Sequence, residues 1–309
     1  MGKITIASRG SPLALQQAQF VEKSIRRLHA DVSTRIQAIR TTGDKLSMAQ
    51  ISGTGTRVKG LFIKEIEEAL LSGQADLAVH SLKDLPTELP AGLCLGAIPK
   101  REDPRDALIS ASRIHSIQEL PKCANVGTSS LRRRIQLEFL RADLQISDIR
   151  GNVETRIRKV AETDLDAVIL AVAGLNRLGL QQRMDYIFST EDMVPAPGQG
   201  ALAIEVRSTD QFIRQIVKPL DHEPTNLCVH AERQFLERLG GDCRFPIGAN
   251  ATINNGQAKF IAFLGSPTNG EVIHKRLSGK SEQLLKLSQD ALDYVLSHGG
   301  QNILNEFQS

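Results

Sequence analysis

Two arginine-rich stretches, Gly127-Thr-Ser-Ser-Leu-Arg132-Arg133-Arg134 and Arg150-Gly-Asn-Val-Glu-Thr-Arg156-Ile-Arg158, each stand where an apolar run hands over to a helical pattern. Guanidinium groups are permanently charged, and their forked donors match carboxylates and phosphates. In the first stretch Thr128, Ser129 and Ser130 are suited to cap a helix whose free N–H groups and positive dipole end attract anions. One such run reads equally well as a solvated helix face. Two of them, both at strand-to-helix turns, point to a site for several anionic groups at once.

Other stretches could carry the reaction itself. Val79-His80-Ser81-Leu82-Lys83-Asp84-Leu85-Pro86 sets Lys83 beside Asp84 at the end of an apolar run. A carboxylate close to a lysine stays ionised and can hold a developing cation or accept its proton; a surface turn is the structural alternative. Gly240-Gly241-Asp242-Cys243-Arg244-Phe245-Pro246 presents one cysteine after two glycines. The glycines open space around the sulfur, and Arg244 favours the thiolate. An inert, half-buried thiol is the alternative. With no His-Asn or His-Asp pattern nearby, covalent attachment of a cofactor is the better functional reading of Cys243 than hydrolysis. Phe62 suits either the core or stacking on a ligand. The seven histidines show no H-E-x-x-H spacing, so no metal is expected.

The elements that must position these residues alternate between strand and helix. Strands are expected over 3–7, 34–39 and 76–80, with a helix from Pro12 to about residue 28, capped by Ser11, and another over 62–71. Arg9 then lies at the first strand's carboxyl end. The Gly-, Ser- and Thr-rich stretch 41–60 reads as a lid-like loop. Lys100-Arg-Glu-Asp-Pro-Arg-Asp106 and Val194-Pro-Ala-Pro-Gly-Gln-Gly200 read as two crossings between α/β units. Strands are expected over 124–127, 144–149 and 166–172 in the second unit, and 201–206 rejoins the first. From residue 221 a helix over 225–239, strands over 249–253, 259–264 and 272–277, and a helix over 281–297 make a small α+β unit. The expected domains are 1–99 with 200–218, 104–194, and 221–309. Ligands in open α/β sheets bind outside the carboxyl ends of the strands, so Arg9, Lys83, Asp84, Arg132, Arg150 and Arg156 are expected to converge on a cleft.

Composition narrows the classes. The 309 residues allow about two or three domains. A net charge of +3, from 38 Lys and Arg against 35 Asp and Glu, makes the arginine clusters local features and disfavours general nucleic-acid binding. No apolar run approaches the ~20 residues of a membrane span, and the first residues have no signal-like core, so a cytoplasmic protein is expected. Four scattered cysteines with no C-x-x-C pair argue against a disulfide framework.

Read in order, these stretches resemble the porphobilinogen deaminase family. The resemblance is carried by Ala7-Ser-Arg9-x-Ser11-Pro, Lys59-Gly-Leu-Phe62, His80-Ser81-x-Lys83-Asp84-x-Pro86, Arg101-Glu-Asp-Pro-Arg-Asp106, Gly127-Thr-Ser-Ser-Leu-Arg132-Arg133, Arg150-Gly151-Asn-x-x-Thr-Arg156, Leu170-Ala-Val-Ala-Gly-Leu-x-Arg177, Pro197-Gly-Gln199-Gly200 and Cys243-x-x-Pro-Ile-Gly. It implies two periplasmic-binding-protein-like α/β domains joined by a two-segment hinge, plus a small C-terminal α+β domain. It also implies stepwise condensation of four porphobilinogen molecules with loss of ammonia, followed by hydrolytic release of hydroxymethylbilane. The primer would be a dipyrromethane cofactor in thioether linkage to Cys243. Asp84, with Lys83, would hold the pyrrole N–H groups and the cation left when ammonia departs. Arg9, Ser11, Ser81, Thr128, Ser129, Ser130, Arg132, Arg133, Arg150, Gly151, Arg156 and Arg177 would bind cofactor, substrate and linear polypyrrole intermediates, with Phe62 stacking and Gln199 facing the cleft. Arg57 and Lys59 would belong to the lid. The family loop commonly reads Gly-Gly-Cys, whereas Asp242 and Arg244 here flank the thiol with charge. A monomer without nucleic-acid or membrane partners is expected. The alternative is a non-catalytic two-lobed anion-binding protein, which requires neither Cys243 nor Asp84.

Overall fold

The computed structural model describes residues 3–42, 63–241 and 245–307. Arg57, Lys59, Phe62 and Cys243 lie outside the described residues. In chain order, the described elements are β1 (Ile4–Arg9), α1 (Pro12–Leu28), β2 (Thr34–Ile39), α2 (Lys64–Leu71), β3 (Leu77–Ser81), β4 (Leu93–Ala97), β5 (Asp106–Ser110), β6 (Asn125–Gly127), α3 (Leu131–Leu140), β7 (Gln145–Ser147), α4 (Val153–Glu162), β8 (Ala167–Ala171), α5 (Val172–Arg177) and β9 (Tyr186–Ile187). They continue with β10 (Leu202–Arg207), α6 (Gln211–Val217), α7 (Glu223–Arg238), β11 (Ile247–Asn254), β12 (Gln257–Gly265), β13 (Val272–Lys280), α8 (Leu284–Val295) and α9 (Gln301–Asn305). The chain divides into two compact units, Met1–Arg101 with Ala201–Thr225, and Glu102–Gly200 with Asn226–Ser309.

The first unit is built on a sheet of order β2-β1-β3-β10-β4. β1 runs parallel to β2 and β3, while β10 runs antiparallel to β3 and β4. Alternation along each strand sends successive side chains to opposite faces. Ile4, Ile6, Leu77 and Val79 bury against Ala18, Val21 and Ile25 of α1, and Ala7 and Ala78 bury against Ile66, Ala69 and Leu70 of α2. Covering both faces explains why these strands read as continuous apolar runs. Ser11 caps α1 as expected, its hydroxyl accepting from the Ala14 N–H at 3.3 Å, with Pro12 in the first turn.

The second unit repeats the plan with a sheet of order β7-β6-β8-β5-β9. β6 is parallel to β7 and β8, and β5 is antiparallel to β8 and β9. The same unit carries a three-stranded antiparallel sheet, β11-β12-β13. Its core joins α7 and α8 to that sheet, with Phe235 and Phe260 edge to face at 5.7 Å. Ile135 and Val194 pack with Ile261 and Phe263 to fix this sheet onto its unit.

Strands β4, β5 and β9 are additions to the expected elements. β9 has only two residues, too few to carry a period, and β5 opens on the fully buried carboxylate of Asp106, a residue type that normally marks a turn. The helix expected over 281–297 is a 3₁₀ turn, Ser281–Gln283, followed by α8. Gly200, in the second crossing, has φ +87°, and an added Cβ would stand 2.4 Å from the Glu102 carbonyl oxygen. Gly200→Ala should therefore lower stability by about 2–4 kcal/mol. A thermal melt matching the parent protein's would refute that reading.

Candidate active site

Because β1 and β3 are parallel neighbours, their carboxyl ends fall together, bringing Arg9 and Ser81 to one edge of the first sheet. A tight 3₁₀ turn, Leu82–Asp84, follows β3. Leu82 is buried and donates its N–H to the Ala201 carbonyl at 3.0 Å, which leaves Lys83 half-buried and Asp84 exposed. The pocket at this edge is lined by Arg9, Ser11, Leu13, Ala14, Gln17, Ile63, Val79, His80, Ser81 and Asp84. The expected residues Arg9, Ser11, Ser81 and Asp84 are thus brought together. Gln17 and His80 were not expected here. Gln17 is 2% exposed, and its side-chain amide donates to the Ser81 hydroxyl at 2.8 Å. Its sequence signal is a glutamine in the buried stripe Gln17, Ala18, Val21, Ile25.

In the second unit, the carboxylate of Asp106, fully buried, organises the first arginine cluster. Arg132 donates to its Oδ2 at 2.8 Å, while Arg133 and Gln199 donate to its Oδ1 at 2.6 and 2.9 Å. Arg132 also donates to the Val194 carbonyl at 2.5 Å and Arg133 to the Ile169 carbonyl at 2.9 Å. Burial pulls the Arg132 guanidinium below its ordinary pKa, against the attraction of Asp106. The Arg132 guanidinium is thus engaged by Asp106 and the Val194 carbonyl. Gln199 is fully buried and also donates to the Pro104 carbonyl at 2.6 Å, so its amide serves the crossing and faces no cleft. Arg133 is a mixed case, because its Nε is buried with no hydrogen-bond partner among the described residues. Two guanidiniums thus converge on one buried carboxylate at the start of α3.

The serines and threonine ahead of α3 do not cap it. Its N-cap, Ser130, makes no side-chain cap bond. Thr128 instead accepts from the Ser130 N–H at 3.2 Å, and Ser129 exchanges hydrogen bonds with the backbone of Ile149 at 2.8 and 3.0 Å. These bonds stitch the loop after β6 to the loop after β7. The first N–H groups of α3 keep their donor capacity for an anion. In the second cluster Asn152 caps α4, accepting from the Thr155 N–H at 2.8 Å. Gly151 has φ +123°, and a Cβ there would stand 2.8 Å from Thr155. Arg156 donates from Nε to the Gly151 carbonyl at 2.9 Å, while Arg150 is exposed. Arg177 donates to the Gly200 carbonyl at 2.7 Å, and burial lowers its pKa to about 10, opposed by Glu102. It remains cationic at neutral pH, and a second anion would relieve its desolvation. In the glycine turn, Gly241 does not open space: a Cβ there would meet Ile247 at 2.4 Å.

Behind the first unit's pocket, burial and the charge of Glu205 raise the Glu67 pKa from 4.5 to about 7, with His80 opposing. The folded state then holds a proton that the unfolded state releases first, so stability falls as pH rises from about 4.5 to about 7. Glu67→Gln should remove that slope and stabilise the protein at pH 8 by about 1 kcal/mol, reduced by the residue's partial exposure. Denaturant titrations at pH 5 and 8 give the check, and an unchanged slope is the contrary result. For the buried network, Asp106→Asn should cost about 3–5 kcal/mol because two buried guanidiniums lose their counter-charge. The exposed control Asp148→Asn should stay within about 0.5 kcal/mol of the parent.

Comparison with known proteins gives the site its context. Residues 4–215 match the description "Porphobilinogen deaminase, dipyromethane cofactor binding domain", and residues 226–293 match "Porphobilinogen deaminase, C-terminal domain". The porphobilinogen deaminase of Pelobacter propionicus is 44% identical over 307 residues, covering 98% of this chain and 97% of the relative. That of Chloroherpeton thalassium is 43% identical over 310 residues, covering 99% and 98%. Among solved structures, a TRAP periplasmic solute binding protein from Desulfovibrio salexigens is 11% identical with a TM-score of 0.41, covering 76% of this chain and 77% of that one. A likeness at that level carries no argument for a solute-binding role. With both matched segments and near-full-length relatives in agreement, the chain belongs to the porphobilinogen deaminase family.

Proposed function

We propose that Asp84 is the central catalytic carboxylate of this chain, assisted by Lys83, in the pocket it shares with Arg9 and Ser81. The observation that carries this reading is that pocket, at the joined carboxyl ends of β1 and β3. The family fixes the reaction: the protein is a transferase that condenses porphobilinogen, with a dipyrromethane cofactor, to hydroxymethylbilane. Each pyrrole carries an acetate and a propionate, so a growing chain presents many carboxylates. Arg9, Arg133, Arg150, Arg156 and Arg177 would meet them, while Ser81, Thr128, Ser129, Ser130 and Gly151 shape the loops around them. Arg132 and Gln199 would act from beneath, by holding Asp106. Asp84 would accept from pyrrole N–H groups and lower the barrier to ammonia loss, since its negative charge is in place before the cation develops.

The dipyrromethane, joined through Cys243, supplies the primer on which the chain grows. Ser11 would wall the pocket while capping α1, Phe62 would stack on pyrroles, and Arg57 and Lys59 would cover them. The reading includes three domains, 1–99 with 200–218, 104–194, and 221–309, in a cytoplasmic monomer that binds neither nucleic acid nor membrane. Among the described residues no helix is long and apolar enough to cross a membrane, which agrees with that reading.

Intact mass of the denatured protein should exceed the chain mass by two linked pyrroles, and Cys243→Ser should abolish the excess. Asp84→Asn should keep the excess while losing at least about a hundredfold in kcat. A bare chain mass in the parent protein would sink the attachment, and a fully active Asp84→Asn would sink the catalytic assignment.

A further inference from the structure

β3 and β10 pair antiparallel, with Ala203 opposite His80 and Glu205 opposite Ala78, so His80 and Glu205 share the sheet face covered by α2. There His80 Nε2 lies 3.0 Å from Glu205 Oε2, with the two side chains 6% and 0% exposed. The other Glu205 oxygen, Oε1, is buried with no hydrogen-bond partner among the described residues. Glu67 approaches from α2. His80 also lines the pocket that holds Ser81 and Asp84. A buried ion pair is weak support for a fold, because apolar side chains of similar volume are often as stabilising. The pair therefore calls for a functional account.

The chemistry of the family supplies one. When a new carbon–carbon bond forms, the attacked ring carbon must lose its hydrogen as a proton, and the C–H electron pair returns to the ring. Ammonia leaves with the electrons of its own C–N bond. If Asp84 took that proton it would lose the charge that holds the next cation, so a separate acceptor keeps it ionised. A His80 that donates its Nε2–H to Glu205 presents Nδ1 as its accepting nitrogen.

We propose that His80 accepts the proton shed by the ring carbon, and that Glu205 is its positioning residue, fixing the tautomer and stabilising the imidazolium. The proton goes to Nδ1, and the Nε2–H stays hydrogen-bonded to Glu205 Oε2. The arrangement is the general form of a base oriented by a buried carboxylate. This inference rests on the assignment of the Asp84 pocket to the reaction.

The test uses holoenzyme whose cofactor mass has been verified. Glu205→Gln should lower kcat about a hundredfold with KM within about threefold, and Glu205→Asp should restore at least about a tenth of the parent kcat. With porphobilinogen deuterated at its free ring carbon, Glu205→Gln should show a larger isotope effect on kcat than the parent, since deprotonation becomes slower. Asp84→Asn should show no such increase, because its defect lies in losing ammonia, so failure of the pocket reading and failure of the relay are told apart. In the parent holoenzyme, ¹⁵N-histidine spectra should report His80 as the Nε2–H tautomer. An Nδ1–H tautomer, a Glu205→Gln kcat within about twofold of the parent, or an unchanged isotope effect would each overturn the proposal. The tautomer measurement decides the matter even where Glu205→Gln does not fold.

Discussion

The second unit depends on one carboxylate in a place where charge is expensive. Asp106 is fully buried and receives Arg132, Arg133 and Gln199 together, each from a different approach: two successive residues of α3 and the crossing before β10. Desolvating a lone carboxylate would be prohibitive, and desolvating a lone guanidinium nearly so. Only together do they persist, and their joint geometry ties β5, α3 and the second crossing to a single point.

Both sheets solve the positioning problem in the same way. Three parallel strands bring their carboxyl ends to one edge, and the fourth position is taken by an antiparallel strand that directly follows a crossing, β10 in the first sheet and β5 in the second. Functional side chains are carried on the short turns after the parallel strands, where backbone is already fixed and side chains are free to face ligand. Glycine enters at points of forced proximity. Gly151 accommodates Thr155, and Gly200 accommodates the Glu102 carbonyl. These contacts explain two glycines of the motifs by geometry, where the sequence alone showed only their spacing.

The sequence carried the alternation of strand and helix, the Ser11 cap and four of the ten pocket-lining residues, Arg9, Ser11, Ser81 and Asp84, because those depend on local period and local chemistry. It carried less of what depends on tertiary contact. Arg132 and Gln199 read as ligand groups because nothing local reveals that Asp106, distant in sequence, would bury beside them. Ser129 read as a cap because its hydroxyl could equally well serve the next turn or reach the next loop, and only the fold decides between the two. Gln17 and His80 were missed for the converse reason: a polar side chain on a buried stripe shows its purpose only once its partners, Ser81 and Glu205, are beside it. Gly241 was read as making room, whereas its neighbour Ile247 occupies that room.

The position of β10 has a consequence for synthesis. It fills the gap between β3 and β4, yet it is translated about a hundred residues after β4, after every strand of the second α/β sheet. Until then the nascent first unit holds two unpaired strand edges where its middle should be, a surface that invites wrong partners. The strand that closes the gap also brings Glu205. The first sheet, begun earliest, is thus completed only after every strand of the second α/β sheet has been made.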